Sequence, residues 1–222
     1  MTRKYSDNEM VKIVLSAIIP LIALILMISV KAFETIKGVS FSEYGLYPLN
    51  AEGLLGIITM PFLHEDWSHL WSNSLPILII GTAIGYYYKK QSNWIFIYFM
   101  ILTGGFTWLI GRESYHIGAS GMVYAMSFFI LVSAIIKKER KLMAFALLVV
   151  FLYGSIIWGF FPEFFPNKNI SWEGHLSGAI SGIIVAFIFK ENGPKEKVYD
   201  WAEEENETVE ENIEDEGYKE EN

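Results

Sequence analysis

Cysteine is absent from all 222 residues, which excludes disulfides, thiolate zinc sites and a cysteine nucleophile. Aspartate is absent from every long apolar run, so the two intramembrane aspartates of a membrane aspartyl protease cannot be supplied. The HExxH spacing that puts two imidazoles on one helical face is also missing: His64-Glu65 is followed by His69 one position too late for a zinc metalloprotease. Charge is scarce where apolar residues are dense. No charged residue sits in the middle of an apolar run, which argues against the ion path of a channel or transporter.

What is present is hydrophobic. Apolar residues make up 52% of the chain and charged residues 19%, and the charges leave whole stretches empty instead of alternating with apolar residues. That distribution points to lipid as the solvent. Fourteen of the 25 acidic residues fall in 191–222 against three basic ones, a local net charge of −11. The other 190 residues carry fourteen basic against eleven acidic residues, net +3. The formal charge of −8 therefore describes a tail, which reads as a disordered or frayed acidic segment.

A bilayer core needs about 20 apolar residues as helix, because a rise of about 1.5 Å per residue then covers about 30 Å. Six runs qualify or nearly do: 10–30, 70–88, 94–110, 120–136, 142–161 and 175–189. The first is too long for a cleavable signal peptide and lacks a small-x-small cleavage site, so it is expected to be a retained span. Basic residues orient the set. Arg3, Lys4, Lys12, Lys89, Lys90, Lys137, Lys138, Arg140, Lys141, Lys190, Lys195 and Lys197 fall on one side, against Lys31, Lys37, Arg112 and Lys168 on the other. Twelve against four places both termini in the cytoplasm. The expected organisation is a short cytoplasmic segment (1–9), a six-span body (10–190) and the acidic cytoplasmic tail (191–222). The connection 31–69 is long and contains an apolar stretch, 54–63, expected to dip into the membrane interface.

Polar residues inside spans are costly and concentrate function. Here they gather at the outer ends of the three inward-running spans: His64, His69 and Asn73 at the second, Ser120 at the fourth and His175 at the sixth. Counted from each span's inner basic flank, Asn73 is 16 residues from Lys89, Ser120 is 17 from Lys137 and His175 is 15 from Lys190. These separations are roughly 22 to 26 Å of helix, so the three residues share one layer. A lone serine in a membrane helix usually bonds back to its own carbonyls, and a lone histidine is usually a packing residue. Ser120, His175 and Asn73 at matched depth, with a second histidine, His69, one turn from Asn73, suggest a shared site.

Local sequence sharpens this expectation. Gly118-Ala-Ser120-Gly121-Met-Val-Tyr124-Ala125 surrounds the serine with residues that let another backbone approach. Gly174, Gly178 and Gly182 recur every four residues beside His175, a small-residue face of the GxxxG kind. Gly121 and Ala125 offer a matching strip, so the fourth and sixth spans should pack at backbone distance with His175 within reach of Ser120.

At these residues the sequence resembles the rhomboid intramembrane serine proteases. The similarity runs from about residue 60 to 189, through His64-x4-His69-x3-Asn73, Gly118-x-Ser120-Gly121 with Tyr124, and Gly174-His175-x2-Gly178-x3-Gly182. The resemblance implies an all-α membrane protein built as a six-helix rhomboid-like bundle. It implies Ser120 as nucleophile and His175 as general base, with Asn73 and His69 lining an oxyanion hole beside the Ser120 N–H. Tyr124 would pack on the His175 ring, His64 would support the outer rim, and Gly118, Gly121 and Gly178 would shape the site. Trp158, Phe160, Phe161, Phe164 and Phe165 would lie in a substrate gate, although lipid-facing aromatics fit them as well. No cofactor, metal or nucleic acid is implied. The implied partners are the lipid bilayer and single-span membrane proteins, cut near the outer face of the cell membrane beside small residues. A rhomboid-like pseudoprotease that binds membrane helices without cutting them is the alternative, but such proteins usually lack the serine or the histidine. The Trp-Arg pair found in the first external loop of many members is absent here.

Overall fold

The computed structural model describes residues 8–153 and 171–194. Among these residues the chain is helical, apart from turns and one isolated backbone bridge between Leu46 and His116. The first apolar run forms α1 (Glu9–Ser16) and α2 (Ile18–Lys37), joined at Ala17. The Asn8 side chain accepts the Met10 N–H at 2.9 Å to start it. Gly38, at φ 65°, ends it in the left-handed conformation that favours glycine.

α2 thus continues through Lys37, beyond residue 31 where the sequence suggests a loop. The reason is that Lys31 is not solvated. Its ammonium donates to the Glu34 carboxylate at 3.2 Å and to the carbonyls of His64 and Glu65 at 3.0 and 2.8 Å. Glu34 accepts the Phe41 N–H at 2.6 Å in turn. A charge that looked like an external flank is a strut between α2 and the chain entering the next long helix.

The connection from 38 to 66 folds through short turns and a one-turn helix, α3 (Gly56–Thr59). Its apolar stretch has two faces: Gly53, Gly56, Met60 and Pro61 are buried, whereas Leu54, Leu55 and Ile58 are exposed. Asp66 then caps α4 (Trp67–Tyr88) by accepting the His69 N–H at 2.7 Å. Lys89, at φ 37°, breaks the helix before α5 (Ser92–Ile110). The remaining helices are α6 (Ser120–Lys137), α7 (Arg140–Tyr153) and α8 (Trp172–Ile188). Taking α1 and α2 together, six long helical segments make the bundle.

Three stretches, Glu9–Lys37, Trp67–Ile110 and Ser120–Lys137, are long and apolar enough to cross a membrane, while Trp172–Ile188 is apolar but shorter. These are the features of a multi-pass membrane protein. The surface agrees with that solvent: Ile22, Ile25, Leu147 and Phe151 are exposed, while Thr103, Thr107, Ser127, Ser133, Ser177 and Ser181 are buried. Small polar residues inside and large apolar residues outside allow close helix contact in lipid. Ser181 and Thr107 satisfy their hydroxyls on the carbonyls of Ser177 and Thr103, both at 2.7 Å.

α6 is the central helix, in contact with α4, α5, α7 and α8. Against α8 it packs at backbone distance. A Cβ at Gly178 would fall on the Gly121 carbonyl oxygen, and one at Gly182 on the Ala125 carbonyl oxygen. Residues 1–7, the end of the fifth run and the loop after it (154–170) with Trp158, Phe160, Phe161, Phe164 and Phe165, and the tail beyond 194 lie outside the described residues.

Candidate active site

The close α6–α8 packing brings the first turns of both helices together. Ser120 is the first residue of α6, and Ala119 before it provides no side-chain cap. The opening N–H groups of a helix have no intrahelical partner, and together with the helix dipole they favour negative charge there. Half-buried Ser120 thus sits where an oxyanion would be stabilised.

His175 stands in the first turn of α8, which Ser171 caps by accepting the Gly174 N–H at 3.2 Å. The His175 Nε2 lies 2.9 Å from Ser120 Oγ. For the hydroxyl to donate, His175 must carry its proton on Nδ1. Tyr124, one turn into α6, stacks flat on the imidazole with centroids 4.3 Å apart and planes at 10°. A ring held on its face is restricted in rotation, and His175 is only 8% exposed.

The α4 residues approach from another side. Gly118 is at φ 109°, and a Cβ there would lie 2.7 Å from the His69 ring atoms Cε1 and Nε2. Only glycine lets that imidazole rest on the backbone two residues before Ser120. Buried Asn73 stands one turn further along α4 and donates Nδ2 to the His69 carbonyl at 3.1 Å. His64, expected to support the outer rim, is 2% exposed. Its ring packs edge-on against His69 with centroids 5.0 Å apart. Burial first, and then the neighbouring His69, push the His64 pKa down from 6.5 to about 3.

A second serine–histidine pair lies close by, and the sequence did not single it out. His116 Nδ1 is 2.6 Å from Ser171 Oγ, and His116 Nε2 is 3.1 Å from the Arg112 carbonyl oxygen. Because a carbonyl only accepts, Nε2 carries the proton and the Ser171 hydroxyl donates to Nδ1. Burial lowers the pKa of His116, which favours the neutral ring. Ser171 also accepts the Gly174 N–H, so its oxygen is engaged on both sides as a helix cap. Beside this pair, Arg112 Nη1 lies 3.3 Å from both carboxylate oxygens of buried Glu173. Two signals for these residues were available. Ser171 stands directly before an apolar helix with Glu173 in its first turn, an N-cap signature. His116 is the one histidine of four left without a role by the motifs.

Ser120, His175, Tyr124, Gly121 and Gly178 therefore meet at the α6–α8 contact, while His64, His69 and Gly118 form an adjoining group and Asn73 bonds within α4. Among the described residues no three His, Asp or Glu side chains converge as metal ligands.

A family model described as the rhomboid domain matches residues 51–192, which includes every one of these groups. An uncharacterized protein of Mycobacterium tuberculosis is 33% identical over 169 residues, covering 73% of this chain and 70% of its own. One of Mycobacterium leprae is 31% identical over 169 residues, covering 73% and 67%. A candidate rhomboid protein of Acanthamoeba polyphaga mimivirus is 28% identical over 155 residues, covering 67% and 82%. A domain match over most of the chain, on a helical bundle with apolar membrane-length helices and a half-buried Ser–His contact, is that of a protease-like enzyme: the chain belongs to the rhomboid family.

Proposed function

We propose that the protein is an intramembrane serine endopeptidase that cuts single-span membrane proteins near the outer membrane face, with Ser120 as nucleophile and His175 as general base. The observation that carries this reading is the 2.9 Å contact between Ser120 Oγ and His175 Nε2 at an uncapped helix start.

As Ser120 Oγ attacks the scissile carbonyl carbon, Nε2 of His175 takes its proton, and the carbonyl oxygen becomes an oxyanion. General-base assistance of this kind contributes about 10²- to 10⁴-fold. The Ser120 N–H, the Asn73 amide and the His69 ring are the donors proposed for that oxyanion. Such donors act most strongly where water is excluded. His175 then gives its proton to the leaving amine, the C–N bond breaks, and an acyl-enzyme remains for water to hydrolyse with His175 again as base. Tyr124, stacked on the ring, holds the imidazole plane through both transfers.

Ser171 is the poorer nucleophile of the two candidate serines. Its hydroxyl is committed to a helix cap, and attack would cost that cap. Reconstituted protein should therefore cleave members of a panel of tagged single-span substrates, retain cleavage in Ser171→Thr and lose it in Ser120→Ala. Cleavage that persists in Ser120→Ala would remove Ser120 as nucleophile, and no cleavage of any substrate by the wild type would leave the non-cutting helix binder.

The basic-residue asymmetry supports six crossings with both termini cytoplasmic. Reporters placed after Asn222 and within 162–170 should then report opposite compartments; the same compartment for both would refute the six-crossing topology.

A further inference from the structure

The two serine–histidine hydrogen bonds share one register. Ser120 bonds His175 and His116 bonds Ser171, each across 55 residues, so the second pair lies four residues before the first on both strands of chain. The segment from Gly111 to Ala119 ends in Ser120, and Ser171 begins the helix that carries His175. On its other side this segment is fixed to the first loop: Leu46 and His116 exchange both backbone bonds at 3.0 and 2.8 Å, and the Gly118 N–H donates to the Met60 carbonyl at 2.9 Å. The His116 side chain then reaches across to the cap of α8, and the Arg112–Glu173 pair joins the same two segments.

We propose that His116 and Ser171 are positioning residues for the dyad: their hydrogen bond clamps the chain entering α6 to the start of α8 and so sets the Ser120–His175 separation. The proposal rests on the assignment of Ser120 and His175 made above. Glycine packing fixes how closely the two helix bodies approach, but helix ends fray, and both dyad residues stand in a first turn. Ser171 caps α8 one turn before His175, and four residues of helix span only about 6 Å. A displacement at the clamp therefore reaches the dyad almost undiminished, and a misplacement of about 1 Å can cost about 100-fold in rate. His116 suits this task because its other nitrogen is tied to the Arg112 carbonyl, which leaves Nδ1 bare to accept from Ser171. Ser171 suits it because one hydroxyl serves two contacts, donating across the joint while accepting within its own helix.

The test follows inactivation of the full-length protein in lipid by a fluorophosphonate, with the maximal inactivation rate separated from reagent affinity and the melting midpoint recorded for each variant. Ser171→Gly keeps a residue tolerated at a helix cap but leaves His116 without a side-chain partner at that position. It should lower the maximal rate about 10- to 100-fold at nearly constant affinity and midpoint. Ser171→Thr, which keeps both cap and hydroxyl, should restore the rate. His116→Phe should match Ser171→Gly, and the double variant should be no slower than either single one. Should His116→Phe fail to fold, Ser171→Gly with its Thr rescue decides alone. A normal rate in stable Ser171→Gly, or losses that multiply in the double variant, would overturn the clamp while leaving the dyad assignment standing. A wild-type protein that takes no label at Ser120 would overturn the dyad assignment first and the clamp with it.

Discussion

Gly178 of α8 lies against Gly121 of α6 so closely that a single methyl group could not fit between them. This contact carries the approach of two helix starts that bring Ser120 Oγ within 2.9 Å of His175 Nε2. Alanine at 178 gains about 1 kcal/mol of helix propensity over glycine. Forcing a Cβ onto the Gly121 carbonyl, with Tyr124 Cβ at 3.0 Å as the next neighbour, is overpacking against backbone and costs about 1 to 3 kcal/mol. Gly178→Ala should therefore lower the melting midpoint in detergent and slow reaction at Ser120 by parting the helices. An unchanged midpoint with unchanged reactivity would mean that the α6–α8 contact yields freely.

Asn73 separates a catalytic from a packing account of α4. If its amide donates mainly to the oxyanion, Asn73→Ala should lower turnover roughly 100- to 1000-fold, the usual effect of losing one such donor. Apparent substrate affinity should change far less, because the ground-state carbonyl carries less charge. The amide also bonds the His69 carbonyl at 3.1 Å, so the melting midpoint must be measured alongside. Full turnover in a stable variant would leave Asn73 as a helix-packing residue only.

Much of this geometry was legible in the sequence because helices are periodic. Residues counted from a basic flank take a predictable depth, and glycines every four residues mark a contact face. Ser120, His175 and Gly178 are placed by such counting, whereas Tyr124 on the His175 ring is what the family resemblance implies. What escaped it lies in connections, where no period applies. Lys31 looked like an external charge, yet it bonds two carbonyls more than thirty residues away. Arg112 looked the same, yet it pairs with buried Glu173. The His116–Ser171 contact joins a loop to a helix cap and depends on both being folded. His64, expected to support the outer rim, is itself buried, and its carbonyl accepts from the Lys31 ammonium.

His64 should make the fold sensitive to acid. Its folded-state pKa is held near 3 against an ordinary 6.5, so between these values the unfolded chain takes up a proton that the folded chain refuses. Stability from this source is fully present above pH 6.5 and is lost as pH falls toward 3, at up to about 1.4 kcal/mol per pH unit. The lowered pKa of His116 acts in the same direction. Melting midpoints should be level above about pH 7 and decline below it, and His64→Gln should reduce the slope. A wild-type midpoint independent of pH from 7 down to 4 would contradict a neutral buried His64.

The most direct test of the central assignment is the site of covalent modification by a fluorophosphonate, located by mass spectrometry of the lipid-embedded protein. Both Ser120 and Ser171 bond a histidine, so the label chooses between them. A single modified residue is expected, Ser120, with labelling abolished in Ser120→Ala and in a folded His175→Ala. A label on Ser171, or one that persists in Ser120→Ala, would contradict it.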